Sequence, residues 1–405
     1  MSQIDSTTNL FDDYSENKIF ESTRPLGYEF IPSLKNIVAR EEEIKKIRKK
    51  LKGIIKTGYG ENFVVTGNTG LGKTTCVKAV LDQLDEKMQE EGQDLTVSYI
   101  EACTNERQVL RKLAHDIEID YRGSDLSKYY HELKKTIVEE DANYILVLDD
   151  IDHLFSDKSQ NDHGNSLLKK FYEVREYALN NSEGGLVIAG VTNNSDIYDQ
   201  FNPKNRSRYA DDTIDFSEYN SPQLRKILGN RAEKAFKQTA LQNGVLNKIA
   251  AYVAKNSGDA RKAIRVLKKA GQIAEETHEQ VKIEHVDEAI DEVETNQMLK
   301  SVKQLALTKK YVLYSVIEER RKRPSFKQVY DKYEKVCREW NNDPVSERQV
   351  RYALDDLDML GLIETGPKSG RGGKKYAKAG IKDDVEDDIL DYMEKEYSIP
   401  KNIYK

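Results

Sequence analysis

Residues 67–74 read GNTGLGKT, preceded by the apolar run NFVVT (62–66) and followed by a segment of helical period (73–88). Few short patterns restrict a fold so tightly. In G-x-x-x-x-G-K-[ST] the glycines let successive backbone N–H groups turn inward, and the helix that follows adds the positive end of its dipole. Such a loop wraps a row of phosphates. Lys73 is expected to reach the β- and γ-phosphates and the Thr74 hydroxyl to ligate magnesium. Gly67, Asn68, Thr69, Gly70, Leu71, Gly72, Lys73, Thr74 and Thr75 are therefore the expected nucleotide contacts, with ATP or ADP and Mg2+ as cofactors. A chance glycine turn would lack the strand before and the helix after.

A phosphate loop needs a carboxylate at the end of a neighbouring strand. Residues 144–148 followed by two aspartates (YILVLDD) supply it. Asp149 ends the apolar run and is the expected magnesium partner, and Asp150 is placed to polarise the attacking water. Beyond the next apolar run (186–189, LVIA) a polar side chain should touch the γ-phosphate or the water. Asn193 is the residue expected there, although asparagine is also an ordinary strand-end residue. Asp150 and Asn193 are thus the expected catalytic residues, and Thr74 and Asp149 the metal ligands.

The apolar runs 62–66, 96–100, 144–148 and 186–189 alternate with helical segments such as 73–88 and 107–119. That alternation predicts an α/β fold, a mostly parallel sheet with helices on both faces. At 405 residues the chain is long enough for two or three folded units. After Ser221-Pro222, read as a helix start, only helical spacing remains, so a second, all-helical domain is expected. The predicted division is a flexible arm (1–24), an ATPase core (25–218), a helical lid (219–299), a DNA-binding domain (300–382) and a C-terminal tail (383–405).

Composition bears on the third unit. The chain has a net charge of −6, yet residues 300–382 hold 20 Lys and Arg against 11 Asp and Glu. A segregated basic block is what a nucleic-acid-binding module carries, and a solvated helix face carries one too. The pattern around it decides. Residues 325–340 place Val329, Tyr333, Val336 and Trp340 on one side. A capping box at Ser346 and Gln349 then opens a helix with Val350, Leu354 and Leu357 inward. A strand, the basic loop GPKSGRGG (366–373) and a second strand follow. Three helices and a β-hairpin with a basic tip describe a winged helix. Arg348, Gln349, Arg351 and Tyr352 should enter a major groove, and Lys368, Ser369, Arg371, Lys374 and Lys375 should hold an adjacent backbone. Double-stranded DNA is the expected partner.

No run approaches a membrane span, and the polar N-terminus is not that of a secretory signal. The three cysteines show no metal-ligand spacing, which suits a reducing cytoplasm.

With these motifs in this order the chain resembles the AAA+ ATPases, and more narrowly the archaeal origin-recognition initiators of the Orc/Cdc type. The resemblance rests on REEE (40–43), GNTGLGKTT, VLDDIDHL (147–154), GVTNN (190–194), residues 202–216, YNSPQLRKILGNRAEKAF (219–236), SGDARKAIRVLKKAGQIAE (257–275) and GRGG (370–373). It implies an AAA+ core, a lid and a winged helix, in an ATP-dependent initiator that binds duplex origin DNA. Loading of the replicative helicase and contact with other initiator copies are implied as well. By the same resemblance Asn193 matches the sensor-1 position and Arg261 the sensor-2 arginine. Tyr219 and Arg231 match a further nucleotide-contacting pair, or else are a core tyrosine and an exposed arginine. Arg206 and Arg208 are both open as an arginine finger. Residues 165–178 match a DNA-touching helical insertion with Lys169, Lys170 and Arg175, and fit a plain amphipathic helix equally.

Two departures matter, one of them Lys204, which stands where many relatives have arginine. The family usually has glutamate after the magnesium aspartate, and Asp150 is one methylene shorter, so hydrolysis is expected to be slow and switch-like. The alternative function is a winged-helix transcription regulator in which ATP is structural. A clamp-loader-like ATPase is a third reading, which the basic C-terminal module disfavours.

Overall fold

The computed structural model describes residues 19–101, 103–119, 125–155, 161–209, 213–277, 280–319, 323–366, 375–378 and 383–397. They form two compact units, residues 1–289 and 290–405.

The first unit is built on β1 (Phe63–Thr66), β2 (Leu95–Glu101), β3 (Asn143–Asp149), β4 (Gly185–Val191) and β5 (Ile214–Asp215). All pair in parallel, in the order β2-β3-β4-β1-β5. Every residue of β1, β3 and β4 is buried, the signature of strands covered on both faces. The covering helices are α1 (Glu41–Leu51), α2 (Ile54–Thr57), α3 (Lys73–Glu90), α4 (Glu106–Asp116), α5 (Leu126–Glu140) and α6 (Asn161–Asn181). The short α7 (Ile197–Gln200) and α8 (Pro203–Tyr209) lead to β5. The predicted strands fall within a residue or two of these limits. β5 was missed, because two residues carry no periodicity.

The lid comprises α9 (Ser221–Ala235), α10 (Val245–Asn256) and α11 (Ala260–Glu276). α9 is capped by Asn220, whose side chain accepts from Gln223 N in a capping box. Ser221 and Pro222 are therefore its first two residues, one position inside the expected cap. The N-terminal segment is tied to the lid. Ile19 and Phe20 are buried, and Phe20 meets Phe236 with ring centroids 4.8 Å apart. Its ring occupies the place a Cβ on Gly271 would need. Residues 1–18 of the expected arm lie outside the described residues.

α12 (Ile283–Gln304) is continuous through residues 299 and 300, where the sequence suggested a boundary. In the second unit α13 (Leu307–Glu318), α14 (Phe326–Glu339) and α15 (Glu347–Met359) precede β6 (Ile363–Gly366) and β7 (Lys375–Lys378). β6 and β7 pair antiparallel. Val329, Tyr333, Val336, Trp340, Val350, Leu354 and Leu357 share one core, as their spacing predicts. α16 (Asp383–Tyr397) adds Val385, Ile389 and Met393 to it, so this part of the expected tail is a packed helix of the winged-helix unit. No helix among the described residues is long and apolar enough to cross a membrane.

Candidate nucleotide-binding site

In a parallel sheet all strands end on one edge, and the loops there collect what ligands need. Residues 67–74 follow β1, Asp149 ends β3, and Asn193 comes just after β4. Sequence-distant groups therefore meet. Gly70 and Gly72 have φ of +77° and +85°, and a Cβ on Gly70 would lie 1.6 Å from Asp259 Oδ1. Only glycine fits there, both for backbone conformation and because the lid sits directly against the loop. The lid is also bonded to it, since Ala260 N at the start of α11 donates to Gly70 O at 3.1 Å.

Lys73 is buried, and its ammonium donates to Gly67 O (2.7 Å), Asn68 O (2.8 Å) and Asn193 Oδ1 (2.8 Å). Burial, followed by the positive charge of Arg261, lowers its pKa to about 8 from the usual lysine value. Arg261 is exposed at the start of α11, the helix whose first residue is bonded to the loop. The other end of the Asn193 carboxamide donates to Asp150 Oδ1 at 3.1 Å. One side chain joins the expected phosphate cation to the expected base.

Thr74 Oγ1 donates to Asp149 Oδ2 at 2.9 Å. The two expected magnesium ligands are thereby neighbours on one side of the loop, a hard-oxygen pair suited to that ion. Among the described residues no cluster of three or more His, Cys, Asp or Glu could hold a metal unaided. The donor set fits a magnesium ion that takes its remaining oxygens from phosphates and water. Sequence reasoning missed Tyr99 on β2, whose hydroxyl donates to the same Asp149 Oδ2 at 2.9 Å. Asp150 has φ +53°, in the left-handed region. Burial, then the charges of Asp149 and Asp152, push its carboxyl upward.

Tyr219 and Arg231 part company. Tyr219 is buried with its hydroxyl 2.8 Å from where a Cβ on Gly72 would stand, so it covers the loop. Arg231 donates to Pro25 O (2.8 Å) and Phe30 O (3.3 Å) and lies over the Phe30 ring, which ties α9 to the N-terminal segment. The sequence also gave no hint that Arg40 lies beneath the loop, donating to Leu71 O at 3.0 Å.

Of the insertion residues, Arg175 is buried and donates to Leu186 O and Gly60 O. It holds the core together rather than facing a partner. Lys170 is paired with Glu106 (2.8 Å), which leaves Lys169 more exposed. Arg206 donates to Tyr198 O and Arg208 stacks over Tyr172.

On α15 the side chains of Arg348, Gln349, Arg351 and Tyr352 are all exposed. Arg348 donates to the Tyr352 hydroxyl (3.0 Å), and Arg351 lies over the Phe326 ring at 3.4 Å. Gln349 Oε1 accepts from Ser346 N and Oγ, so its carboxamide oxygen is engaged in the helix cap. Lys368, Ser369, Arg371 and Lys374 lie outside the described residues. The backbone of Lys375 opens β7.

A phosphate loop, a strand-end carboxylate, a bridging asparagine and a lid against the glycines define an AAA+ nucleotide-binding module, here followed by a winged helix. Comparison with known proteins agrees element by element. The AAA domain family matches residues 57–197, the Cdc6 AAA+ ATPase-type lid domain residues 225–291, and the CDC6 C-terminal winged helix domain residues 300–391. ORC1-type DNA replication protein 1 of Archaeoglobus fulgidus is 30% identical over 365 residues, covering 88% of this chain and 87% of that protein. The ORC1-type DNA replication protein of Thermococcus onnurineus is 30% identical over 380 residues, covering 90% and 89%. A solved structure of Aeropyrum pernix ORC1 in complex with DNA matches with a TM-score of 0.77 and 27% identity, over 94% of this chain and 98% of that one. The chain belongs to the family of ORC1-type DNA replication proteins.

Proposed function

We propose that this protein is an ATP-dependent initiator of DNA replication that binds duplex origin DNA and uses nucleotide state as a switch. One observation carries the reading: a single chain joins an AAA+ nucleotide site, with the lid bonded directly to its phosphate loop, to a winged helix that exposes arginines on α15. The DNA bound to the Aeropyrum pernix relative supports assigning the winged helix to duplex DNA. Arg348, Arg351 and Tyr352 are the groups for the major groove. Gln349 can join them through its amide NH2, while a contact through its oxygen would require it to leave the cap. The basic tip with Lys368, Ser369, Arg371, Lys374 and Lys375 is assigned to the neighbouring backbone.

At the nucleotide site residues 67–75 would hold ATP or ADP, and Thr74 and Asp149 would hold magnesium. That ion, when bound, neutralises phosphate charge. Lys73 and Arg261 place two cations beside the phosphates, and Tyr219 shields the loop from solvent. Asp150 accepts the proton of the attacking water, with Asn193 fixing its carboxylate. Its short side chain and its crowding by Asp149 and Asp152 favour slow turnover. The protein acts in the cytoplasm, and the replicative helicase and further initiator copies are its expected protein partners.

The ORC1-type relatives favour this reading over a transcription regulator. Genome-wide mapping of binding sites with and without ATP tests it, with Lys73→Ala as the control. Occupancy centred on a replication origin and weakened by Lys73→Ala is expected. Occupancy confined to promoters would transfer the protein to the regulator class.

A further inference from the structure

Arg40 is one of the largest fully buried side chains in the protein, at 2% exposure. A buried guanidinium needs partners for its nitrogens, and here each of the three donates a hydrogen bond. Nε donates to Leu71 O at 3.0 Å, Nη1 to Glu43 Oε1 at 2.8 Å, and Nη2 to Ser217 O at 2.6 Å. The plane lies over the Tyr219 ring, 3.8 Å from its centroid, with Phe216 at 5.1 Å. These contacts reach the phosphate loop on one side and the connection from β5 to the lid on the other. Ala39, immediately before, is held in the left-handed region at φ +62°. For an alanine that backbone is strained, which the surrounding contacts must offset.

The Leu71 carbonyl matters for what lies across its peptide bond. A trans peptide is planar with C=O and N–H pointing in opposite directions, and none of the described bonds is cis. Drawing the Leu71 carbonyl toward Arg40 therefore turns the Gly72 N–H the other way, into the mouth of the loop. The preceding carbonyl, Gly70 O, is held by Ala260 N of the lid. Two consecutive loop peptides are thus oriented by donors outside the loop.

We propose that Arg40 is a positioning residue of the ATP site. It presets the Gly72 N–H toward the β-phosphate, and it links that orientation to the lid connection through Ser217 and Tyr219. The inference rests on the reading of residues 67–75 as the nucleotide site.

The test compares ADP with AMP, which lacks the β-phosphate, on the full-length chain. Arg40→Lys keeps the charge opposite Glu43 but cannot reproduce the planar fork and stack together. Losing one preset donor to a charged phosphate should weaken ADP binding by about tenfold while AMP binding stays within about twofold. Arg40→Gln should do the same. The ratio of the two affinities does not depend on the fraction of protein that is folded, so partial unfolding does not mask the result. Equal loss of ADP and AMP binding would mean that Arg40 only supports the fold, and an unchanged ratio overturns the proposal. A wild-type chain that binds no ADP overturns the nucleotide-site reading itself, and this inference with it.

Discussion

Replacing Tyr99 by phenylalanine removes one hydroxyl and leaves the rest of the ring in place. That hydroxyl donates to Asp149 Oδ2 at 2.9 Å, the oxygen that also accepts from Thr74 Oγ1. Asp150 N donates to Oδ1 at 3.1 Å. The ring is itself steadied by Lys78, whose ammonium lies 4.1 Å from its centroid, a contact phenylalanine retains. Burial and the Asp149 charge push the phenol upward, so Tyr99 remains a protonated donor. A hydrogen bond to a charged group contributes about 1.5–3 kcal/mol net, and the half-buried ring argues for the lower end. Losing it leaves the oxygen with one fewer competitor for the metal, which helps binding, and frees the carboxylate to rotate, which hurts. Outer-shell partners of metal ligands cost about 10–100-fold in affinity when removed, so orientation wins. The Mg2+ midpoint for tight ADP binding should therefore rise about tenfold in Tyr99→Phe. ADP affinity in EDTA should not move. A midpoint within twofold of wild type, or an equal loss of affinity in EDTA, would refute the role given to Tyr99.

Asp150→Asn should abolish single-turnover hydrolysis while ATP still binds. Because the folded state raises the Asp150 pKa, its ionised form is disfavoured there, so the neutral amide should also raise the thermal midpoint near neutral pH. Arg175→Ala leaves the Leu186 and Gly60 carbonyls buried without their donor and should cost about 3 kcal/mol in a denaturation series. Arg348→Ala with Arg351→Ala should lower duplex affinity and flatten its salt dependence, as read by fluorescence anisotropy across a salt series. Cys76, Cys103 and Cys337 are all buried, and the Cys76 thiol is pushed up to about 12. The native protein should resist a thiol reagent that modifies all three cysteines in denaturant.

What could be read from the sequence was local. The phosphate loop, the strand ending in Asp149 and the capping box at Ser346 each lie within a dozen residues, where spacing alone places side chains. The same holds for the inward face of α14. Arg40 acts on Leu71, 31 residues away, and on Ser217, 177 away. Tyr99 acts on Asp149 because β2 and β3 are neighbours in the sheet. Sheet order is what brings them together, and periodicity does not reveal it. Arg175 was left open for a related reason, since a basic residue in an amphipathic helix reads as exposed until the carbonyls it satisfies, Leu186 O and Gly60 O, are known. Gln349 reads both as groove-facing and as part of a cap, and the structure puts its carboxamide oxygen in the cap while leaving the residue exposed.

The asparagine after β4 gives the site its logic. Asn193 Oδ1 accepts from Lys73 while its Nδ2 donates to Asp150, so one planar group restrains both. A phosphate that recruits Lys73 competes for the ammonium bonded to Asn193. The amide is then held chiefly by Asp150, whose backbone already stands in a conformation that few side chains adopt. On the proposed reading, phosphate occupancy would be felt at Asp150 through Asn193. On the opposite side of the loop, Gly70 O answers to the lid through Ala260 and Leu71 O to Arg40. The loop is bonded to Asn193 through Lys73 on one side and to the lid through Gly70 on the other. On the proposed reading, such an arrangement would transmit the state of the nucleotide more readily than consume it, as the short Asp150 in place of glutamate would also favour.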